Sequence, residues 1–162
     1  MMATYLKYRW KISPILITVM ILAINGNTQG VDSSLKIARN NINAYIGLFD
    51  ANINYERNII QRSKSHSNLR VGFGYAMFFT AGEGTYINTS FVHLIGEKNS
   101  HLEIDLGLKY MLTNSIEDAG FSDTLIPDIF FGYRYEKPSG GFIFRFGLNY
   151  PTILNLGIGY KF

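Results

Sequence analysis

From Gly141 to Phe162 the chain alternates strictly. Phe142, Phe144, Phe146, Leu148 and Tyr150 are separated by Gly141, Ile143, Arg145, Gly147 and Asn149. Leu154, Leu156, Ile158, Tyr160 and Phe162 are separated by Ile153, Asn155, Gly157, Gly159 and Lys161. A period of two belongs to an extended strand, where neighbouring side chains point to opposite faces. The same pattern recurs upstream. His101 to Leu112 sets six apolar residues against His101, Glu103, Asp105, Gly107, Lys109 and Met111. Leu125 to Glu136 and Leu69 to Phe79 repeat it, and Tyr86 to Ile95, Asn52 to Ile60 and Asn41 to Phe49 carry it more faintly, with Ile53, Tyr55 and Ile59 apolar in the second of these. Eight strands are expected, many close to the length of about 9–11 residues that crosses a bilayer when tilted.

The charges choose between architectures. One face gathers Glu56, Glu103, Asp105, Asp128 and Glu136 with Arg70, Lys109, Arg134, Arg145 and Lys161, while the other is aromatic and aliphatic over many strands. In a soluble sandwich the charged face would be the solvated one. An eight-stranded sheet that closes has a lumen just wide enough for side chains to fill, and the apolar set is too bulky for it. The inverse arrangement fits: apolar side chains outward toward lipid and paired charges within. The expected fold is therefore all-β, an antiparallel up-and-down transmembrane barrel. Inward glycines at 72, 74, 107, 132, 147, 157 and 159 are expected to leave space for the long Arg and Lys chains. With both barrel ends of the chain on one side, short turns at residues 62–68, 96–100 and 137–140 share that side. The connections at 80–85, 113–124 and 149–152 share the other; the longest carries Glu117, Asp118 and Asp123.

Residues 1–30 read as a secretory signal peptide. Lys7, Arg9 and Lys11 precede the apolar run Ile12 to Ile24, and residues 25–30 turn polar. That run has 13 residues, against the roughly 20 that a spanning helix needs. Residues 31–40 form a short segment before a barrel at 41–162. The net charge of +3 resides in the leader, which has no acid; beyond it the bases equal the 12 acids in number. No lasting basic patch for nucleic acid remains. Cysteine is absent, which excludes disulfides and thiolate metal sites.

Leu156-Gly157-Ile158-Gly159-Tyr160-Lys161-Phe162 resembles the terminal strand by which bacterial outer-membrane barrels are recognised for insertion, with Tyr160 and Phe162 as its aromatic signal. The stretches Asn54 to Arg57, His101 to Gly107, Gly132 to Pro138 and Gly141 to Arg145 also resemble a group of small, uncharacterised outer-membrane β-barrel proteins of Gram-negative bacteria. The likeness covers roughly residues 41 to 162. It implies an outer-membrane location, lipid around the barrel and the barrel assembly machinery as a partner. It implies no activity.

Candidate chemistry is sparse. Ser90 and His93 are three apart on one strand and so face opposite ways. His101, Glu103 and Asp105 alternate onto one face, yet the five bases there are nearer partners for the acids than a metal ion. Gly72-Phe73-Gly74 and Gly157-Ile158-Gly159 lie inside strands and are not phosphate loops. Tyr55, Tyr86, Tyr110, Tyr133, Tyr150 and Tyr160 read as interfacial girdles. No catalytic, metal or cofactor site is expected. The expected role is a filled barrel with a structural or surface-interaction function, the 113–124 loop being its contact surface. Alternatives are a lipid-active barrel enzyme, which needs a convergent Ser, His and acid, and a soluble carrier, which needs the aromatic face inside.

Overall fold

The computed structural model describes residues 38–78, 82–112 and 125–162. Eight strands form: β1 (Asn40–Gly47), β2 (Asp50–Gln61), β3 (Ser65–Phe78), β4 (Gly82–Glu97), β5 (Ser100–Met111), β6 (Leu125–Glu136), β7 (Gly141–Tyr150) and β8 (Ile153–Lys161). They close into one barrel in sequence order, with β8 pairing antiparallel to β1. Closure removes the sheet edges that would otherwise recruit other chains. Pairing accumulates a stagger. The partners Arg134, Arg145, Gly157, Tyr45, Asn52, Gly74, Tyr86 and Met111 lead once around the barrel. The path returns to β6 beside Leu125, the far end from Arg134. Such stagger requires strands tilted by about 35–45° from the axis.

The faces divide as the alternation requires. Ile46 is 68% exposed, Leu106 59%, Leu156 59% and Phe131 55%, all outward on different strands. Among the described residues, charges on the outer face of the strands sit near the rims. Arg57 lies beside Asn40 at the start of β1, and Glu83 beside Met77 near the end of β3. The β-branched and aromatic side chains that cover the outside favour the pleated surface. The soluble-carrier reading needed this face to be interior; it is exterior.

β6 and β7 have the expected limits, but β3 begins at Ser65, so the turn expected at 62–68 is shorter. The polar run Ser65-His66-Ser67-Asn68 gave no apolar period, yet it continues the strand because a polar interior accepts it. A register shift between Asn58 and Ile60 marks a bulge. It puts Ile60, rather than the expected Ile59, firmly on the outside. The leader, residues 31–37, the 113–124 loop and part of the 80–85 connection lie outside the described residues.

The inward glycines make room mainly for asparagine and aromatic side chains rather than for the long basic chains expected. At Gly157 the expectation holds in part: a Cβ would lie 2.7 Å from Arg145 Cγ, with the Tyr45 ring nearer still at 2.4 Å. At Gly72 and Gly159 it would strike asparagine side chains, and at Gly74 the Tyr86 ring and Asn52. Gly132 and Gly147 are cross-strand partners lying under the tip of the Phe130 ring, which is 2.6 and 2.7 Å from the two Cβ positions. Gly147→Ala also brings a methyl to 2.4 Å from Phe131 O, which is backbone and cannot swing away. The expected cost is in the overpacking range of about 1–3 kcal/mol, read as a lower urea midpoint than the parent barrel.

Candidate functional site

Among the described residues, chemically active side chains converge in the lumen. All ten residues of the expected charge network lie inside, each at most 8% exposed. Asp50, which the alternation of β2 did not reach, makes a sixth acid against the five bases. The groups are stacked in three tiers.

The middle tier centres on Glu56 of β2. Its Oε1 accepts from Arg70 Nε at 2.7 Å, Tyr45 OH at 2.8 Å and Asn43 Nδ2 at 3.1 Å. Its Oε2 accepts from Arg134 Nη1 at 2.8 Å, Asn68 Nδ2 at 3.1 Å and Asn41 Nδ2 at 3.2 Å. Arg70 stands directly opposite Glu56 in the β2–β3 ladder and reaches Glu103 at 2.7 Å and Asp105 as well. Arg134 and Arg145 are direct partners on β6 and β7. Such a like-charge pair is unfavourable alone. Glu103 lies 3.7 Å from the first and 3.3 Å from the second, and holds them together. The Arg145 guanidinium lies between two rings, 4.1 Å from the centroid of Tyr45 and 3.6 Å from that of Phe130.

Toward the 47–50 turn, Lys109 bridges Asp50 at 2.9 Å and Asp128 at 3.2 Å. Tyr86 OH donates to Asp50 at 2.8 Å and accepts from Asn52 at 2.9 Å. Tyr86 was expected in a surface girdle; it is fully buried inside, because β4 points its even-numbered residues inward. Toward the 137–140 turn, Glu136 Oε1 meets Lys161 Nζ at 2.6 Å and His66 Nε2 at 2.9 Å. Its Oε2 lies 2.6 Å from Arg134 Nε, an ion contact without hydrogen-bond alignment.

Asparagine completes the lining. Asn41, Asn43, Asn52, Asn54, Asn58, Asn68, Asn88, Asn149 and Asn155 are all buried. They join the charges to the wall, as in Asn88 Nδ2 to Asn54 Oδ1 at 2.9 Å and Asn149 Nδ2 to Asp128 at 3.0 Å. The sequence signal for this ladder is the Asn-x-Asn spacing in β1 and β2, where the apolar alternation is faint. Ile143 faces inward, as its place in the alternation of β7 requires, and Val92 and Leu94 join it from β4.

No protein-family model matches the chain, no curated protein is similar to it, and no solved structure matches it. The site must be read from its own geometry.

That geometry offers little to a substrate. Ser90 is buried in the lumen, whereas His93 lies on the outer face and bonds Ser67 Oγ through Nδ1 at 2.9 Å. Ser67 is itself buried, and no carboxylate partner of His93 is present among the described residues. The convergent Ser, His and acid that lipid chemistry needs is not assembled there. Among the described residues no group of three or more His, Asp or Glu is arranged to hold a metal ion. Arg134, Arg145, Lys109, Tyr86 and Phe130 are among the largest fully buried side chains, and they fill the space a channel would occupy.

Proposed function

We propose that the chain is a transmembrane barrel of a Gram-negative outer membrane, filled rather than open, whose role is structural or one of surface contact. The observation that carries this reading is the inversion of the barrel. Apolar side chains cover its outside on all eight strands, and an ion-paired network occupies its inside. In water such an outside is an aggregation surface, far larger than the few hundred Å² of contiguous apolar patch usual on a soluble monomer. In lipid it is the solvated face, and closure leaves no strand edge unpaired. The expected signal peptide at 1–30 supports export, and the terminal strand with Tyr160 and Phe162 supports handling by the barrel assembly machinery. Both aromatics are exposed on the outside.

The filled lumen argues for contact through the rims rather than transport. Arg145, clasped by Tyr45 and Phe130, crosses the waist of the barrel with Arg70 and Glu56 beside it. Purified protein in a planar bilayer is expected to give no unitary ion conductance. Cell fractionation followed by gel migration with and without boiling tests the location. A band in the outer-membrane fraction that shifts on boiling is expected. A protein in the soluble fraction with no shift would overturn the reading.

A further inference from the structure

The end of the lumen nearest the 137–140 turn opens into a cavity of about 70 Å³. His66, His101, Glu136 and Lys161 line it from the strands, and Arg62 and Lys98 line it from the turns. That is room enough for ordered water or a small oxyanion.

The lining is biased toward an anion. Glu136 is its single acid, and that carboxylate is already engaged by Lys161, His66 and Arg134. Arg62 and Lys98 are exposed and have no side-chain partner among the described residues. His101 adds an independent observation. It is 6% exposed, and both ring nitrogens are buried without a hydrogen-bond partner, while its ring meets that of His66 edge-on at 5.1 Å. A neutral imidazole carries one N–H donor, and leaving that donor unpaired in a buried setting is costly. Its neighbours in the cavity wall are mainly donors too, so an accepting group would pair with the His101 N–H and with most of them.

We propose that this mouth is a binding site for a small oxyanion of the phosphate class. His101 and Lys161 are the inner donors, and Arg62 and Lys98 are the outer cations that draw the ion in. The site requires only the barrel geometry and holds whether or not the outer face meets lipid. Its position inside the strand ring favours a free ion entering along the axis over a headgroup held at the rim.

The test uses the full chain refolded in a phosphate-free maltoside detergent at fixed pH. Inorganic phosphate is titrated while the imidazole resonances of the three histidines are followed. His93, on the outer face, is the internal control. Saturable shifts at His101 and His66, with His93 unmoved and chloride at equal ionic strength ineffective, are the expected result. Arg62→Ala combined with Lys98→Ala alters only exposed turn residues and leaves the fold intact. It should weaken binding at least about tenfold, the effect of losing even one of the two charge-assisted contacts. His101→Phe should weaken it at least as much. No saturable shift with either phosphate or phosphatidylglycerol, equal shifts at all three histidines, or unchanged affinity in the double variant would overturn the site. A parallel titration with phosphatidylglycerol in place of free phosphate identifies the source. Shifts there alone would assign the site to a headgroup, and shifts with free phosphate alone to a solute.

Discussion

Glu56→Leu is expected to destabilise the barrel by about 3–5 kcal/mol, the range for removing one member of a buried ion pair. Glu56 is fully buried and binds Arg70 and Arg134 directly, so its removal leaves two guanidinium groups short of a counter-charge. Arg70 retains Glu103 and Asp105. Arg134 retains Glu136 and the more distant Glu103. Tyr45, Asn41, Asn43 and Asn68 lose an acceptor at the same time. Urea unfolding in detergent, followed by the mobility shift on boiling, reads the loss directly. If uncompensated charge is the cause, Glu56→Leu with Arg70→Leu costs less than the sum of the two single changes. Additive losses would mean that the pair acts through packing alone.

Leu106→Arg has the second large expected effect, and its sign depends on the surroundings. Leu106 is 59% exposed in the middle of β5, with Phe91 and Ile129 as cross-strand partners. In a water-soluble barrel, arginine at such a position is nearly silent, because surface changes of this kind usually fall within about 0.5 kcal/mol. At the midplane of a bilayer it costs about 2–4 kcal/mol. Unfolding of the parent and the variant in lipid vesicles separates the two cases. A vesicle-reconstituted variant as stable as its parent would count against a lipid-facing β5.

The architecture was legible because its signal is local. Where a strand has one apolar face, as in Phe142 to Tyr150, each residue reports its own direction, and the limits of β6 and β7 followed from the alternation. What stayed hidden was whatever depends on partners distant in sequence. Asp50 opens β2 directly after Leu48 and Phe49, before the alternation starts, and only the fold brings it to Lys109, fifty-nine positions away. His66 and Ser67 belong to a strand extension that carries no apolar period. Tyr86 matches a girdle residue by type, and only the phase of β4 turns it inward. The same limit applies to the glycines, whose neighbours are set by register and not by composition.

Depth along β5 tests the central claim most directly. The chain has no cysteine, so single replacements at Leu102, Ile104, Leu106, Leu108 and Tyr110 each carry a spin label without background. All five project outward from one strand and leave the lumen network untouched. In reconstituted bilayers, collision with apolar oxygen relative to a water-soluble nickel chelate should peak near Leu106 and fall toward Leu102 and Tyr110. A flat profile dominated by the nickel chelate at all five positions would show that this face meets water, and would contradict the inverted barrel.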